Sequence, residues 1–289
     1  FDLMIVDDAP QNLQYVSRFV PREKLAFFFR GQIGMSRRYL NRCGLLITSN
    51  DNLVRYIEEV LPPEGPKPRI AVVPNSLGPE FAHVTPKERV LSGPVKTIIF
   101  VGRFVPVKGV RELVRAFQIV HERFPDAHLR IVGSSAYDPA RTDTLSEYEQ
   151  EVRELAATLP TGAVSFAGFV PYERIPDEYL AADIAAFPSL WVEGFGMVAL
   201  EAMRCGLPVI VSNRPGFTSF VKDGENGLVV DDPEDVQALA QVMIRLLAEP
   251  ALAQGLARKG LETVQQYTPE AAAEAFAETI RGHSRIAHP

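Results

Sequence analysis

The fold of this chain is decided by the stretch TIIFVGRFVPVKGVRELVRAFQIVHERFPDAHLRIV, which spans residues 97–132. Two short apolar runs, Thr97–Val101 and His128–Val132, predict strands, and Val110–Arg123 between them has the period of an amphipathic helix. The apolar side of that helix carries Val110, Leu113, Val114, Phe117 and Val120. A strand, a helix and a second strand predict a right-handed βαβ unit and a parallel sheet. Because the apolar runs are continuous rather than alternating, we expect a sheet covered on both faces.

The same alternation continues on both sides of this stretch. Further strands are predicted at 3–6, 25–29, 45–48, 70–73, 164–166, 184–187, 208–211 and 228–230. Helices are predicted at 34–43, at 145–159, after the cap signal at 231–234, and from 269 to about 281 before a frayed tail. The proline-bearing stretch Pro79–Pro94 has no strong period and marks a domain boundary. We therefore predict an α/β protein with domains at 1–90 and 91–268, and a C-terminal helix and tail at 269–289 that crosses back to the first domain.

Composition narrows the function classes. The 289 residues are 46% hydrophobic and 23% charged, with a formal net charge of −6. This balance is typical of a globular protein and argues against a disordered chain or one that coats nucleic acid. No apolar run reaches the ~18 residues of a membrane span, and no signal peptide is recognisable. Cys43 and Cys205 lie far apart in sequence, which favours a reducing compartment.

A first candidate site follows the strand that ends at Val101. Gly102 permits a tight turn, the helix start offers unpaired N–H groups, and Arg103 and Lys108 add two cations. Together these groups would bind a diphosphate. Two solvated surface cations beside a turn remain the alternative. The loop matches neither the P-loop nor the dinucleotide-binding glycine pattern, which weakens both of those interpretations.

A second candidate site joins Glu193 to a helix that runs from about Gly196 to Cys205. That helix is apolar almost all round, so we expect it to be buried, and Glu201 within it needs a polar partner. Carboxylates accept hydrogen bonds from vicinal hydroxyls, and the helix N-terminus suits phosphate. These groups point to a nucleotide sugar. A structural ion pair between Glu201 and an arginine is the alternative.

These motifs, taken in order, resemble a known enzyme family. The chain resembles retaining GT-B glycosyltransferases of the GT4 family (glycosyl transferases group 1), densely over about Val95 to Leu228. The resemblance rests on Gly102-Arg103 with Lys108-Gly109, Ile131-Val132-Gly133, Val164–Val170, Ala182-Asp183-Ile184, Pro188-Ser189, and Glu193 and Glu201 followed by residues 202–210.

The resemblance implies a role for each matching residue. Arg103 and Lys108 would hold the donor diphosphate, Glu193 would contact the donor sugar at the reacting centre, and Glu201 would bind the ribose. The other donor-binding positions that it implies are Gly102, Gly168, Phe169, Val170, Gly194, Phe195, Gly196, Met197 and Val198. It also implies that no catalytic metal or cofactor is needed, and the chain contains no Asp-x-Asp motif.

It further implies two Rossmann-like domains that face a cleft, with the first domain incomplete because the chain begins about halfway through it. Asp7, Asp8 and Arg30 would then face the acceptor, although solvated loop positions are an equal alternative. The chain departs from the family at Ser219, where a glutamate is common, and at Ser134-Ser135, where the family often has a second glycine.

The implied activity is transfer of a sugar from a UDP- or GDP-sugar to a glycan or lipid-linked acceptor with retention of configuration. A non-catalytic nucleotide-sugar-binding module and a GT-B relative such as a sugar-nucleotide epimerase or a phosphorylase are the alternatives. Arg37, Arg38 and Arg42 share a predicted helix, which is either a solvated face or a peripheral contact with the membrane. We expect a cytoplasmic protein, peripheral at the inner membrane face if that contact forms, without a nucleic-acid partner.

Overall fold

The structure, a computed structural model, describes residues 3–7, 10–29, 35–86, 96–135 and 145–287. It contains two parallel sheets of four and six strands with helices between the strands. The predicted α/β fold class is therefore confirmed. The chain divides into two units, of which the first takes in the residues up to Ser76, Val192–Phe195 and those from Gln266 onward. The second unit takes in Leu77–Trp191 and Gly196–Gln265. The boundaries between the two units therefore differ from the divisions at residues 90 and 268 that were predicted from the sequence.

The first unit is built on the four-stranded sheet, whose order is β1-β2-β3-β4. Its strands are β1 (Met4–Asp7), β2 (Leu25–Phe28), β3 (Leu45–Thr48) and β4 (Arg69–Val72). Its α-helices are α1 (Pro10–Val16), α2 (Asp51–Val60) and α11 (Pro269–Ala287). Two 3-10 helices lie at Arg22–Lys24 and Met35–Arg42. The second of these replaces the α-helix predicted at 34–43, because apolar spacing alone does not distinguish i→i+3 from i→i+4 hydrogen bonding.

Both faces of this sheet are covered, as continuous apolar strands require. Leu25, Phe27 and Leu46 pack on one side, whereas Ala26 and Ile47 pack on the other with Phe276 and Ile280 of α11. Successive side chains along a strand therefore belong to two separate hydrophobic cores, one on each face of the sheet.

Helix α11 continues to Ala287, beyond the end predicted at about Arg281. The sequence predicted a frayed tail from residue 282 onward, but Gly282 lies against the guanidinium of Arg69. One residue later, the buried His283 places Nε2 2.7 Å from the carbonyl oxygen of Glu23, to which it donates. Tertiary contacts thus outweigh the weak helix propensity of one glycine.

The second unit is built on the six-stranded sheet. Its strands are β5 (Lys96–Val101), β6 (Ala127–Val132), β7 (Val164–Gly168), β8 (Ile184–Phe187), β9 (Val209–Ser212) and β10 (Leu228–Val230). Its α-helices are α3 (Pro79–Ala82), α4 (Val110–Arg123), α5 (Glu147–Ala156), α6 (Ile175–Ala181), α7 (Met197–Arg204), α8 (Pro215–Thr218), α9 (Val236–Ala248) and α10 (Pro250–Val264). Among its described residues, 3-10 helices lie at Pro106–Lys108 and Tyr172–Arg174.

The strand order β10-β9-β8-β5-β6-β7 is that of a doubly wound sheet. The chain winds outward in one direction from β5 and in the other from β8, so the order reverses between these two neighbours. Ligands of such sheets bind at the carboxyl ends of the strands, beside this reversal.

The core of the second unit follows the sequence pattern closely. All five apolar residues predicted for one side of α4 are fully buried: Val110, Leu113, Val114, Phe117 and Val120. Helix α9 starts later than the cap signal at 231–234 predicted, because Asp235 is the N-cap and accepts from the N–H of Ala238 at 3.0 Å. The sequence offers several aspartates in this segment, and local preference does not choose between them.

The loops after β5 and β8 are held together at the reversal. The carbonyl oxygen of Val107 accepts from the N–H of Leu190 at 2.9 Å and from Oγ of Ser189 at 3.2 Å. Gly109, the N-cap of α4, has φ +69° and lies directly against the carbonyl of Pro188. A Cβ at position 109 would overlap that carbonyl oxygen, so only glycine lets the two loops approach this closely.

Within the described residues, no single helix is long and apolar enough to cross a membrane. Helices α9 and α10 are long and apolar enough only when they are taken together, and a bend of 98° separates them.

We expect Gly109→Ala to destabilise the second unit by about 3 kcal/mol or more, because it adds a steric overlap to the cost of a left-handed backbone. Gly162→Ala is the matched control, since Gly162 has φ +90° but nothing within 4 Å of its missing Cβ. That control should cost only about 1–2 kcal/mol. Urea unfolding of both variants measures the difference, and equal losses would contradict the close approach.

Candidate donor-binding site

A pocket of about 390 Å³ lies at the carboxyl ends of β5, β6 and β7 in the second unit. Residues that end or follow these strands form most of its wall, and helices α6 and α7 contribute the rest. The lining residues are Val101, Gly102, Arg103, Val132, Gly133, Ser134, Phe169, Val170, Tyr172, Ile175, Val198 and Glu201. The pocket therefore occupies the position that the sheet topology favours for a ligand.

The structure brings six of the sequence-predicted site residues to this pocket: Gly102, Arg103, Phe169, Val170, Val198 and Glu201. The others named from the sequence lie elsewhere in the fold. Gly168, Lys108, Gly196 and Met197 belong to the second unit but do not line the pocket, whereas Glu193, Gly194 and Phe195 belong to the first unit.

Arg103 is held at the pocket by the backbone on either side of it. The N–H of Gly102 donates to the carbonyl of Val132 at 3.0 Å, and the N–H of Phe104 donates to the carbonyl of Ser134 at 3.1 Å. The Phe104 ring is buried against Phe166. The backbone is thus fixed while the side chain of Arg103 stays exposed, which suits a cation that meets a charged ligand.

The wall after β7 is mainly apolar. Gly168 ends the strand with φ +68°, and its carbonyl accepts from the N–H of Gly133 at 2.8 Å. Phe169 comes next and leaves 42% of its surface exposed at the pocket. An exposed ring at this point offers a flat apolar surface to a planar group.

Glu201 provides the buried acid of the pocket. Its neighbours on α7, Ala199, Leu200, Ala202 and Met203, are fully buried, as the apolar helix predicted, and Glu201 itself is only 5% exposed. Oε1 accepts from the hydroxyl of Tyr172 at 3.0 Å, and Oε2 lies 3.5 Å from the hydroxyl of Tyr179. Among the described residues, the partners of Glu201 are thus tyrosine hydroxyls and not the arginine of the alternative interpretation.

Burial raises the pKa of Glu201 from 4.5 to about 7. The hydrogen bonds from Tyr172 and Tyr179 oppose this shift because they stabilise the carboxylate, whereas the negative charge of Glu80 adds to it. Near neutral pH the pocket therefore contains a carboxyl group poised between its charged and neutral forms.

Sequence reasoning missed the two tyrosines. Tyr172 lies in a 3-10 turn and Tyr179 in α6, and both rings contact the buried Phe81, at centroid distances of 5.8 and 6.3 Å. Burial raises the pKa of both hydroxyls, and the charge of Glu201 adds to the shift. Tyr172 and Tyr179 lie 29 and 22 residues before Glu201, so no local pattern in the sequence indicated these contacts.

The first unit fixes the segment that contains Glu193. Gly194 accepts through its carbonyl from Oγ of Ser49 at 3.0 Å and from Nδ2 of Asn50 at 2.9 Å. Phe195 is buried and meets Tyr267 edge-on at 5.6 Å. Ser49 and Asn50 were not predicted as site residues, although Asn50 has the sequence signature of a helix cap and caps α2 through Leu53.

The segment that follows, in the second unit, begins α7. Gly196 is its N-cap with φ +90°, and a Cβ there would overlap the ring of Phe217. Met197 and Val198 are half-buried in the first turn.

The proposed acceptor-side residues are only partly described. Asp7 ends β1 and is exposed, whereas Asp8 and Arg30 lie outside the described residues. Of the three basic residues at 37, 38 and 42, only the side chain of Arg42 is described. It donates to Oγ of Ser17 at 3.3 Å and lies over the Tyr39 ring at 5.2 Å.

A model of the family Glycosyl transferases group 1 matches residues 85–263, more than half of the chain. The chain belongs to this family. The match includes every residue that lines the pocket.

Individual proteins with similar sequences are named as glycosyltransferases. D-inositol 3-phosphate glycosyltransferase of Rhodococcus opacus (strain B4) is 35% identical over 193 residues, or 65% of this chain and 41% of that protein. GDP-mannose-dependent alpha-(1-6)-phosphatidylinositol monomannoside mannosyltransferase of Mycolicibacterium smegmatis is 35% identical over 208 residues, or 69% and 50%. The chain thus spans about half the length of these relatives or less.

Solved structures support the GT-B fold of this family member. One of them is the crystal structure of Anabaena Alr3699/HepE in complex with UDP and glucose. The match has a TM-score of 0.81 and 21% sequence identity, and it covers 98% of this chain and 78% of Alr3699/HepE.

Ser219, named from the sequence as an expected departure from the family pattern, uses its hydroxyl locally. Oγ donates to the carbonyl of Gly216 at 2.7 Å. In the described part of the chain, no group of three or more His, Cys, Asp or Glu side chains could hold a metal ion.

We expect Glu201→Gln to stabilise the protein at pH 8 but hardly at pH 5. The pKa of this carboxyl is higher in the folded chain (about 7) than its ordinary 4.5. The folded state therefore holds more protons between these values, and the free energy of unfolding falls as the pH rises. Because glutamine does not ionise, the variant avoids this loss of stability, which is on the order of 2–3 kcal/mol.

Urea unfolding at both pH values measures the effect. Glu234→Gln, a change at an exposed carboxylate, is the control and should behave alike at pH 5 and pH 8. A Glu201→Gln variant whose stability relative to wild type does not depend on pH would show that the carboxyl is not perturbed.

Proposed function

We propose that this chain carries the donor-binding part of a retaining GT4 glycosyltransferase (EC 2.4). The donor is a nucleotide-diphosphate sugar, a UDP- or GDP-sugar, and the acceptor is a glycan or a lipid-linked group. One observation carries the proposal: a single pocket at the carboxyl ends of a doubly wound sheet is lined by the exposed cation of Arg103 and by the buried carboxylate of Glu201. Family membership and the GDP-mannose named for one relative support it.

The two charged groups suit opposite parts of such a donor. The guanidinium of Arg103 forms charge-assisted hydrogen bonds with a diphosphate, and Lys108 on the same loop adds a second cation. The carboxylate of Glu201 accepts hydrogen bonds from the ribose hydroxyls. Phe169 offers its exposed face to the nucleobase.

In the reaction, the bond between the anomeric carbon and the diphosphate oxygen breaks. The acceptor hydroxyl oxygen bonds to the same carbon on the same face, and its proton passes to the leaving diphosphate. Negative charge thus develops on the diphosphate, where Arg103 and Lys108 stabilise it more in the transition state than in the ground state. Glu193 is proposed at the donor sugar, and we propose that no metal is required.

We expect a thermal-shift panel to identify the donor class. UDP, GDP, ADP and their sugar conjugates are each added to the protein with and without EDTA. A nucleotide that binds only the folded state raises the melting temperature by mass action. One nucleotide should do so regardless of EDTA, and Arg103→Ala and Glu201→Ala should abolish its effect. No shift with any nucleotide would contradict the donor site, and a shift lost in EDTA would contradict the metal-free proposal.

We expect Arg103→Ala to lower turnover by ~10²-fold or more, through loss of a charge-assisted hydrogen bond to the leaving group. Sugar transfer from the donor that the panel identifies measures the loss. Arg115→Ala, which removes an exposed cation from α4, is the control and should retain wild-type turnover. Nucleotide binding without turnover in the wild-type protein would instead favour a non-catalytic binding module.

A further inference from the structure

Glu201 has one strong hydrogen-bond donor among the described residues. The hydroxyl of Tyr172 donates to Oε1 at 3.0 Å. The hydroxyl of Tyr179 has a single proton, and the carbonyl oxygen of Val198, at 3.1 Å, is a nearer acceptor than Oε2, at 3.5 Å. A carboxylate has about four acceptor sites, so Oε2, whose hydrogen bond from Tyr179 is the longer of the two, keeps acceptor sites for a ligand.

Tyr172 has two further contacts besides its hydrogen bond to Glu201. Its ring packs on Phe81 at 5.8 Å, and a Cβ at Gly78 would lie 3.1 Å from both its Cε1 and its hydroxyl oxygen. Yet 42% of the residue is exposed, and it lines the pocket beside Glu201. The ring of Tyr172 therefore lines the pocket, while its hydroxyl donates a hydrogen bond to the buried carboxylate of Glu201.

A second carboxylate lies next to this pair. Oε2 of Glu80, on α3, is buried and has no hydrogen-bond partner among the described residues. It would lie 2.7 Å from a Cβ atom at position 78, so it is close to the backbone of Gly78. Its charge acts on both Tyr172 and Glu201. The groups that face Glu201 are thus Glu80 on α3, Tyr172 on the 3-10 turn and Tyr179 on α6, and Arg103 lines the same pocket.

We propose that Tyr172 is a positioning residue for the donor ribose: its hydroxyl holds Oε1 of Glu201, and its own lone pair and Oε2 are left as two acceptors for the vicinal ribose hydroxyls. The two vicinal hydroxyls of a ribose need two acceptors side by side, and the hydrogen bond from Tyr172 fixes the orientation of the Glu201 carboxylate. The neighbouring Glu80 acts in the opposite sense, because its charge disfavours the ionised form of Glu201. This inference rests on the proposed function.

The test is titration calorimetry with GDP and UDP and with their 2′-deoxy counterparts. We expect Tyr172→Phe to weaken binding of the nucleotide that the wild type binds by about ten-fold, as loss of a hydrogen bond to a charged group does. Binding of its 2′-deoxy counterpart should weaken much less, so the preference for ribose falls. Tyr148→Phe is the matched control, since it removes a half-buried hydroxyl that accepts from the N–H of Arg111 and does not line the pocket.

The pH dependence separates positioning from a purely structural role. Ionised Glu201 binds ribose, so affinity falls as the pH drops through the pKa of this carboxyl. Tyr172→Phe removes a hydrogen bond that lowers this pKa, so the midpoint of the binding profile should move to higher pH. Glu80→Gln removes a charge that raises it, so the midpoint should move to lower pH. A general loss of packing would not move the midpoints in opposite directions.

Each outcome is decisive. A wild-type protein that binds neither nucleotide overturns both the proposed function and this inference. A wild type that binds one of them, with Tyr172→Phe keeping the affinity and the ribose preference within two-fold, overturns the inference alone. If Tyr172→Phe does not fold, Glu80→Gln still decides, since a midpoint that stays or rises contradicts the arrangement.

Discussion

The carbonyl oxygen of Val107 joins two loops at the point where the six-stranded sheet reverses its strand order. It accepts from the backbone of Leu190 and from the side chain of Ser189, and so ties the loop after β5 to the loop after β8. These are the two strands between which the sheet reverses its winding. The first loop carries Arg103 and Lys108, and the second leads to the start of α7 and Glu201. This contact holds together the two loops that precede α4 and α7, at the point where the strand order reverses.

A buried carboxyl group gives the pocket its chemical character. Glu201 lies on a helix whose neighbouring residues are fully buried, and hydroxyl groups rather than a cation accompany it. An arginine partner would have fixed its charge, whereas tyrosines leave the charge responsive to pH and to any ligand that brings hydroxyl groups. This arrangement lowers stability above neutral pH and is therefore costly unless a ligand uses it.

The strands, the buried face of α4 and the apolar character of α7 could be predicted from the sequence, because each follows from local periodicity. The partners of Glu201 could not, since Tyr172 lies 29 residues away and no local pattern records that contact. The same holds for Ser49 and Gly194, which are 145 residues apart. Where several local signals compete, as at the start of α9 or at Gly282 in α11, packing decides the outcome. Gly102, Arg103, Phe169 and Val170 were found because they follow strands in sequence, whereas the tyrosine partners of Glu201 were missed because their contacts with it are long-range.

Helix α11 has a consequence for the order in which the protein is made. It packs on the core of the first unit through Phe276 and Ile280, and its His283 is bound to Glu23. All residues of the second unit, which end at Gln265, precede it in the chain. During synthesis the second unit can therefore fold while the first still lacks one of its covering helices. Until α11 is added, the face of the first sheet that carries Ala26 and Ile47 lacks the cover of Phe276 and Ile280.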